Sequence, residues 1–304
     1  VETNLYYPRA KHLSDGSILL TFENDHYGWD IYARKSYDGG KTWTDATLIR
    51  HSYPEKSTVG EDTRVFVNPD FYQLKFGRIL LAWQWRYKKG YNDLPNTNIN
   101  CGVEMCWSDD FGKTWSRPVE VYRGRNWEPA FLELPSGEIQ MFITDSQEIR
   151  DKISYACTSI LRSYDGGMTW QGKTLATNKD VQAISRTIWN GRGMDGMATA
   201  VLLDDDKGIV VPFETWSGRD VYEQSPNLVR TTMEQNWNPA DSVAIRAGGG
   251  PDFPVKKELN KDIKGFGPYS CKLSTGEMVV LTNGRMKNRF GVFVAVGDRM
   301  GDNF

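Results

Sequence analysis

Short apolar runs entered through a glycine recur along the chain. Leu13-Ser-Asp-Gly-Ser-Ile-Leu-Leu20, Lys75-Phe-Gly-Arg-Ile-Leu-Leu81 and Leu134-Pro-Ser-Gly-Glu-Ile-Gln-Met141 each carry a Gly ahead of an apolar stretch too short for a helix. Asp206-Lys-Gly-Ile-Val-Val211 and Ser274-Thr-Gly-Glu-Met-Val-Val280 repeat the arrangement. A glycine turn leading into such a run predicts a β-hairpin. A second pattern follows each hairpin. Ser36-Tyr-Asp-Gly-Gly-Lys-Thr-Trp43 returns as Ser108-Asp-Asp-Phe-Gly-Lys-Thr-Trp115 and as Ser163-Tyr-Asp-Gly-Gly-Met-Thr-Trp170. Arg230 to Trp237 keeps only the terminal Trp, and Gly297 to Phe304 keeps a Gly and an aromatic end. In a turn of this kind Asp accepts backbone N–H bonds, Gly takes a positive φ and Trp packs between strands. Asp38, Asp110 and Asp165 are therefore expected to serve the fold rather than a reaction.

Each unit reads as strand, glycine turn, strand, connection, strand, second turn, strand, which is one four-stranded propeller blade. The Ser-x-Asp-x-Gly-x-Thr-Trp pattern resembles the Asp-box, or BNR repeat, of sialidases and related propellers. That resemblance implies an all-β, six-bladed β-propeller of the sialidase type, one domain over residues 1–304. Five blades are visible, at approximately 1–50, 51–122, 123–177, 178–244 and 245–304. A ring with a gap would expose sheet edges and half of a core. The expectation is that the chain continues past Phe304 into a sixth blade, or is a fragment.

Charge narrows the partners. Lys plus Arg number 37 and Asp plus Glu 39, for a net charge of −2, and three basic residues never occur in a row. That argues against nucleic acid or an anionic membrane surface as partner. No apolar run approaches the roughly 20 residues of a membrane span. The stretch from Val1 does not read as a signal peptide, so the expectation is either a cytosolic protein or one whose leader has been removed. Cys101, Cys106, Cys157 and Cys271 lack zinc-type spacing, and buried thiols are expected. His12, His26 and His51 form no ligand pair, so neither a metal nor a cofactor is expected. The oxygen-rich Asp204-Asp205-Asp206 run is read as solvated charge rather than a calcium loop.

Propeller chemistry sits where innermost strands begin, here Leu5–Arg9, Gly60–Arg64, Asn126–Pro129, Gly196–Thr199 and Gly267–Ser270. Two carboxylates stand out. Glu128 lies in Trp-Glu-Pro ahead of the run from Ala130 to Leu134, and Glu214 ends the apolar run from Ile209. Burial beside Trp216 should disfavour the charged form of Glu214. Such a pair suits glycoside hydrolysis, with one acid and one nucleophile or base. Tyr269 is placed to lend the nucleophile a hydrogen bond. In the plainer reading each Glu pairs with an Arg and stabilises its blade.

Trp127-Glu-Pro, the run from Gly137 to Gln147, Arg150-Asp-Lys-Ile-Ser154, Gly196 to Leu203 closing on Phe213-Glu214, and Gly267-Pro-Tyr-Ser270 resemble glycoside hydrolase family 93. The resemblance implies an exo-acting, retaining α-L-arabinanase without a cofactor. It makes Glu128 the general acid/base, Glu214 the nucleophile and Tyr269 its helper. Tyr7, Arg9, Asp25, Asp62, Trp127 and Arg289 are expected around the substrate, an oligosaccharide or polysaccharide. A monomer outside the cytosol, secreted or periplasmic, follows from such substrates.

Two rival readings remain. Sialidases clamp a substrate carboxylate with three arginines. Here Tyr6 and Thr144 stand where two of them belong, and only Arg289 falls in place, unless Arg9 and Arg64 compensate. Alternatively, Trp83, Trp85, Trp189 and Trp216 would stack on sugars in a non-catalytic glycan-binding propeller.

Overall fold

The computed structural model describes the chain except residues 1–4, 95, 151–152, 186–192, 205–206, 217–224, 239–256, 260–262 and 288. Among the described residues the chain is all-β, with two short 3-10 turns at Gly90–Asn92 and Asn96–Ile99. The first blade is β1 (Tyr6–His12), β2 (Ile18–Glu23), β3 (Ile31–Ser36) and β4 (Thr47–Arg50). The second is β5 (Tyr53–Ser57), β6 (Gly60–Gln73), β7 (Ile79–Tyr87), β8 (Cys101–Ser108) and β9 (Val119–Arg123). Next come β10 (Asn126–Glu133), β11 (Ile139–Arg150), β12 (Ile153–Ser163), β13 (Ala176–Thr177) and β14 (Gln182–Ser185). The fourth blade holds β15 (Gly193–Gly196), β16 (Val201–Leu202), β17 (Ile209–Trp216), β18 (Ser225–Thr231) and β19 (Lys257–Glu258). The fifth is β20 (Ile263–Lys272), β21 (Met278–Met286) and β22 (Arg289–Val296). These are five blades of a β-propeller fold, and a sixth is not among the described elements.

The chain divides into two compact units. One comprises residues 1–133, 137–139 and 162–180, the other 134–136, 140–161 and 181–304. In the first, β1-β2-β3-β4 form one antiparallel sheet, and β9-β8-β7-β6-β5 form another, which β13 joins parallel to β9. Its core gathers Leu19, Ile31, Phe66, Phe71, Trp83 and Trp85, all fully buried or nearly so. Trp83 and Trp85 therefore fill the core and are not the exposed sugar platforms the sequence suggested; Trp189 lies outside the described residues. In the second unit, β15 and β16 both pair with β17, which continues through β18 to β19, and β20-β21-β22 form a separate sheet. Its core includes Val201, Val210, Leu228, Met278 and Val280. Of the four cysteines, Cys101, Cys106 and Cys157 are buried, Cys271 is exposed, and none is in a disulfide.

The three Ser-x-Asp-x-Gly-x-Thr-Trp turns close alike. Asp38 accepts bonds from the Thr42 N–H at 2.9 Å, the Thr42 hydroxyl at 2.6 Å and Ser36 Oγ at 2.8 Å, and Asp110 and Asp165 repeat the set. The Thr42 hydroxyl, then its N–H and Ser36, hold Asp38 down to about 2. These carboxylates are fully engaged in turns. The degenerate copy at the end does the same work from a shifted position, where Asp298 accepts N–H bonds from Met300 and Asp302.

Candidate active site

One irregularity recurs among the described residues in the strand, or strand start, ahead of each glycine turn. Tyr7, Asn68, Glu128, Met197 and Gly267 all take the left-handed conformation, with φ of 47°, 54°, 59°, 49° and 62°. The ladder slips beside them, between Tyr6 and Arg9, Val67 and Asp70, and Phe266 and Tyr269. In the fourth blade Gly196 faces Glu214 while Val201 faces Val210, again with one extra residue. These four sites are thus β-bulges, and Glu128 shares their left-handed backbone; a bulge re-aims a side chain at the cost of backbone strain for a non-glycine residue. Proline follows in four of the five, as Pro8, Pro69, Pro129 and Pro268, and its missing N–H is tolerated on an edge strand.

A bulged N–H leaves its own ladder and needs another acceptor. The preceding blade supplies it from its second strand. Asn68 N–H donates to Glu23 Oε2 at 2.5 Å, Met197 N–H to Thr144 Oγ1 at 2.9 Å, and Gly267 N–H to Glu214 Oε2 at 2.6 Å. Glu23 and Glu214 therefore occupy the same position of the repeat. Sequence reasoning found Glu214 and missed Glu23.

In the first unit Tyr7 and Glu128 come together. Tyr7 Oη lies 3.5 Å from Glu128 Oε1, at the outer limit of hydrogen-bond reach, and both residues are half-buried. The Tyr7 ring stacks near-parallel on His26, with centroids 6.2 Å apart, and the Arg9 guanidinium lies 5.7 Å from its centroid. Trp127, next to Glu128, meets Tyr91 edge-on at 6.3 Å. Asp25 is half-buried and caps its own turn through the Tyr27 N–H at 2.8 Å.

Glu23 is fully buried opposite Tyr6, and its Oε1 has no hydrogen-bond partner among the described residues. Burial pushes it up to about 8, against the Asn68 N–H and the nearby Arg86 and Arg9, which favour its charged form. Its folded pKa lies above the ordinary carboxylate value, so the folded state holds the proton more tightly. The associated stability is present in full below about pH 4.5 and is lost as pH rises towards 8, by at most about 1.4 kcal/mol per pH unit. Glu23→Gln keeps an acceptor for Asn68 and removes the titration. Its melting temperature should equal that of the unaltered protein near pH 5 and exceed it near pH 8. Parallel curves for the two proteins across that range would refute this assignment.

Two residues read from the sequence as site candidates are placed otherwise. Asp62, expected beside the substrate, is buried, and its carboxylate accepts the N–H groups of Thr63 at 2.7 Å and Gly90 at 2.8 Å as well as that of Lys89. Burial works to raise its pKa, but these bonds outweigh it and hold Asp62 below the usual carboxylate range. Its bulge, at Asn68, is six residues on, roughly 20 Å along β6. Arg64, the possible stand-in for a missing clamp arginine, is buried against Glu104 and stacked on Trp85 at 3.6 Å.

The second unit holds Glu214, buried at 4% exposure and opposite Gly196 and Pro226. Tyr269 follows the Gly267 bulge and is half-buried opposite Leu281. Arg289 is exposed at the start of β22, opposite Met286. Thr144, at a position where a sialidase would carry arginine, is buried and engaged by Met197. The signal for these left-handed positions was present in the sequence: Tyr7, Asn68, Glu128 and Gly267 each stand nine residues ahead of a turn glycine.

No family model matches the chain. A protein named sialidase from Paraclostridium sordellii is 28% identical over 188 residues, covering 54% of this chain and 44% of the relative. A sialidase from Clostridium perfringens is 31% identical over 125 residues, covering 38% and 31%. The chain thus spans less than half the length of these relatives. Among solved structures, a Dyadobacter fermentans protein of unknown function superposes with a TM-score of 0.66 at 16% identity, over 97% of this chain and 79% of that one. An alpha-L-arabinofuranosidase from Lactobacillus brevis gives 0.60 at 10% identity, over 96% and 90%. An alpha-L-arabinofuranosidase from Fusarium graminearum gives 0.55 at 17% identity, over 98% and 94%. At these identities the structural likeness is one of fold, and it is a fold shared with glycoside hydrolases.

Proposed function

We propose that the protein is an exo-acting, retaining glycoside hydrolase in which Glu128 is the general acid/base, Glu214 the nucleophile and Tyr269 the nucleophile's helper. The observation that carries this reading is Glu128 itself, held in a left-handed backbone conformation and aimed at Tyr7 Oη 3.5 Å away. The same conformation recurs in the other blades, and what sets Glu128 apart is a half-buried carboxylate facing the Tyr7 hydroxyl. The matching engagement of Glu214 by the Gly267 N–H supports a fixed, acceptor-facing carboxylate, as a nucleophile requires. An arabinan-type glycan is the substrate suggested by the family 93 motifs and the fold likeness. A sialidase is the second reading, favoured by the names of the two relatives.

Action on a polymeric glycan places the protein outside the producing cell's cytosol in this reading. A sixth blade is also proposed. The support is β22, where Phe290, Val292, Val294 and Val296 are 67%, 63%, 59% and 52% exposed, an apolar row of the kind another sheet covers. The test of the reaction is proton NMR of the first sugar released from a panel of aryl glycosides that includes α-L-arabinosides. Retention of the anomeric configuration is expected, and release of the inverted anomer would overturn the assignment of Glu214 as nucleophile.

A further inference from the structure

The turn between β2 and β3 carries exposed rings on a backbone that its neighbours tie down. Asp25 opens it, accepting the Tyr27 N–H on its carboxylate at 2.8 Å and the Gly28 N–H on its carbonyl at 2.9 Å. Gly28 lies against β6: its φ is 90°, and a Cβ there would collide with the Val67 side chain and the Phe66 carbonyl. Trp29 then bridges to Phe66, whose N–H donates to the Trp29 carbonyl at 3.2 Å. From β7, Arg86 Nη2 donates to the Tyr27 carbonyl at 2.8 Å. The backbone of the tip is fixed, yet the Tyr27 side chain is 73% exposed and His26 is exposed beside it.

A single exposed tyrosine is ordinary on a protein surface. Tyr27 differs because a row of rings joins it to Glu128. Tyr7 Oη lies 3.5 Å from Glu128 Oε1, the Tyr7 ring stacks on His26 at 6.2 Å, and His26 meets Tyr27 edge-on at 5.0 Å. Tyr6 adds a tilted ring 6.1 Å from His26. Exposure rises along the row, from half-buried Tyr7 out to Tyr27. Aromatic faces of this kind stack on sugar rings. A tyrosine on a fixed backbone offers a large contact area and has little freedom left to lose on binding.

The row also has a direction. A general acid/base acts at the glycosidic oxygen, between the sugar to be released and the leaving group. In an exo-acting enzyme the leaving group is the remainder of the polymer, which must extend into solvent. Rings that begin at the acid/base and end in solvent match that path.

We infer that His26 and Tyr27, with Tyr6, form a stacking platform for a sugar ring of the leaving-group chain, beyond the bond that is cleaved. The inference rests on the proposed glycosidase reading and gives it a second saccharide subsite.

Titration calorimetry on Glu128→Gln, in which turnover is blocked, tests it by comparing a disaccharide with a linear hexasaccharide in the arabino and xylo series. In at least one series the hexasaccharide should bind more tightly. Adding Tyr27→Ala should weaken the hexasaccharide about 2- to 10-fold, the range of one aromatic stacking contact, and the disaccharide less. Tyr27→Phe should keep the affinity, because the ring and not the hydroxyl makes the contact. Tyr27 lies at the surface, so its truncation leaves the fold intact. His26→Ala gives an independent second variant.

Absence of length-dependent binding in both series would overturn the inference. So would an affinity indifferent to both variants, or an equal loss for the two lengths. Aryl-glycoside turnover by the unaltered protein separates the two claims. Turnover with no Tyr27-dependent binding of the longer chain refutes the platform alone. Tyr27-dependent binding with no turnover of any glycoside sustains the platform and refutes the enzyme.

Discussion

Glu128→Gln should lower turnover of an unactivated glycoside about 10²- to 10⁴-fold, the usual contribution of a positioned general acid/base. Glutamine keeps the shape and the acceptor facing Tyr7 Oη but has no proton to give a leaving group and cannot activate water. KM should change little, because the residue acts on the reacting bond and not on the sugar. The defect should shrink for aryl glycosides with acidic phenols, which leave without protonation. Steady-state kinetics on a good and a poor leaving group reads this directly. An equal loss with both would mean that Glu128 holds the structure or the substrate and transfers no proton.

The largest stability effect is expected at Glu104, far along the chain from the proposed chemistry. Glu104 is 4% exposed on β8 and receives Arg64 Nη2 at 2.5 Å and Arg50 Nε at 3.0 Å. Arg64 also faces Glu55 and Glu120, each at 3.6 Å, and Arg123 closes the group on Glu120. Desolvating these charges is tolerable only while each has its partner. Glu104→Ala removes the carboxylate that Arg50 and Arg64 share and leaves Arg64 only its longer contacts with Glu55 and Glu120; breaking a buried pair from one side costs about 3–5 kcal/mol. Urea unfolding followed by tryptophan fluorescence would show a clearly lower midpoint, with Trp85 against Arg64 as a local reporter. A loss below about 1 kcal/mol, typical of solvated pairs, would show that water reaches the network.

The glycine turns were legible from sequence because their chemistry is local. Gly16, Gly77, Gly137 and Gly276 all adopt positive φ where an apolar run follows. Glu214 was legible because it closes an apolar run. Glu23 was not: Phe22-Glu23 runs straight into Asn24-Asp25, which reads as a solvated turn. Only the N–H of Asn68, 45 residues on, reveals that the next blade buries it. Asp62 misled for a related reason. The polar stretch from Gly60 to Arg64 looks like a strand start, yet β6 runs 14 residues and its first part pairs with β5. The left-handed position was written in the prolines after Tyr7, Asn68, Glu128 and Gly267, but Met197-Ala198 breaks the pattern in the fourth blade. Trp83 and Trp85 could not be assigned from periodicity, because β7 is covered on both faces and shows no alternation.

The roles of the two carboxylates are tested most directly by adding azide to alanine variants supplied with an activated aryl glycoside. With Glu128→Ala, the sugar should reach Glu214 and stall there, and azide should release a glycosyl azide of the substrate's own anomeric configuration. With Glu214→Ala, azide should enter in place of the missing nucleophile and give the opposite configuration. Rescue by azide in both variants with these two configurations is the predicted result. The reverse pattern would exchange the roles, and unchanged turnover of the glycoside in either variant would contradict the assignment of that carboxylate to the reaction.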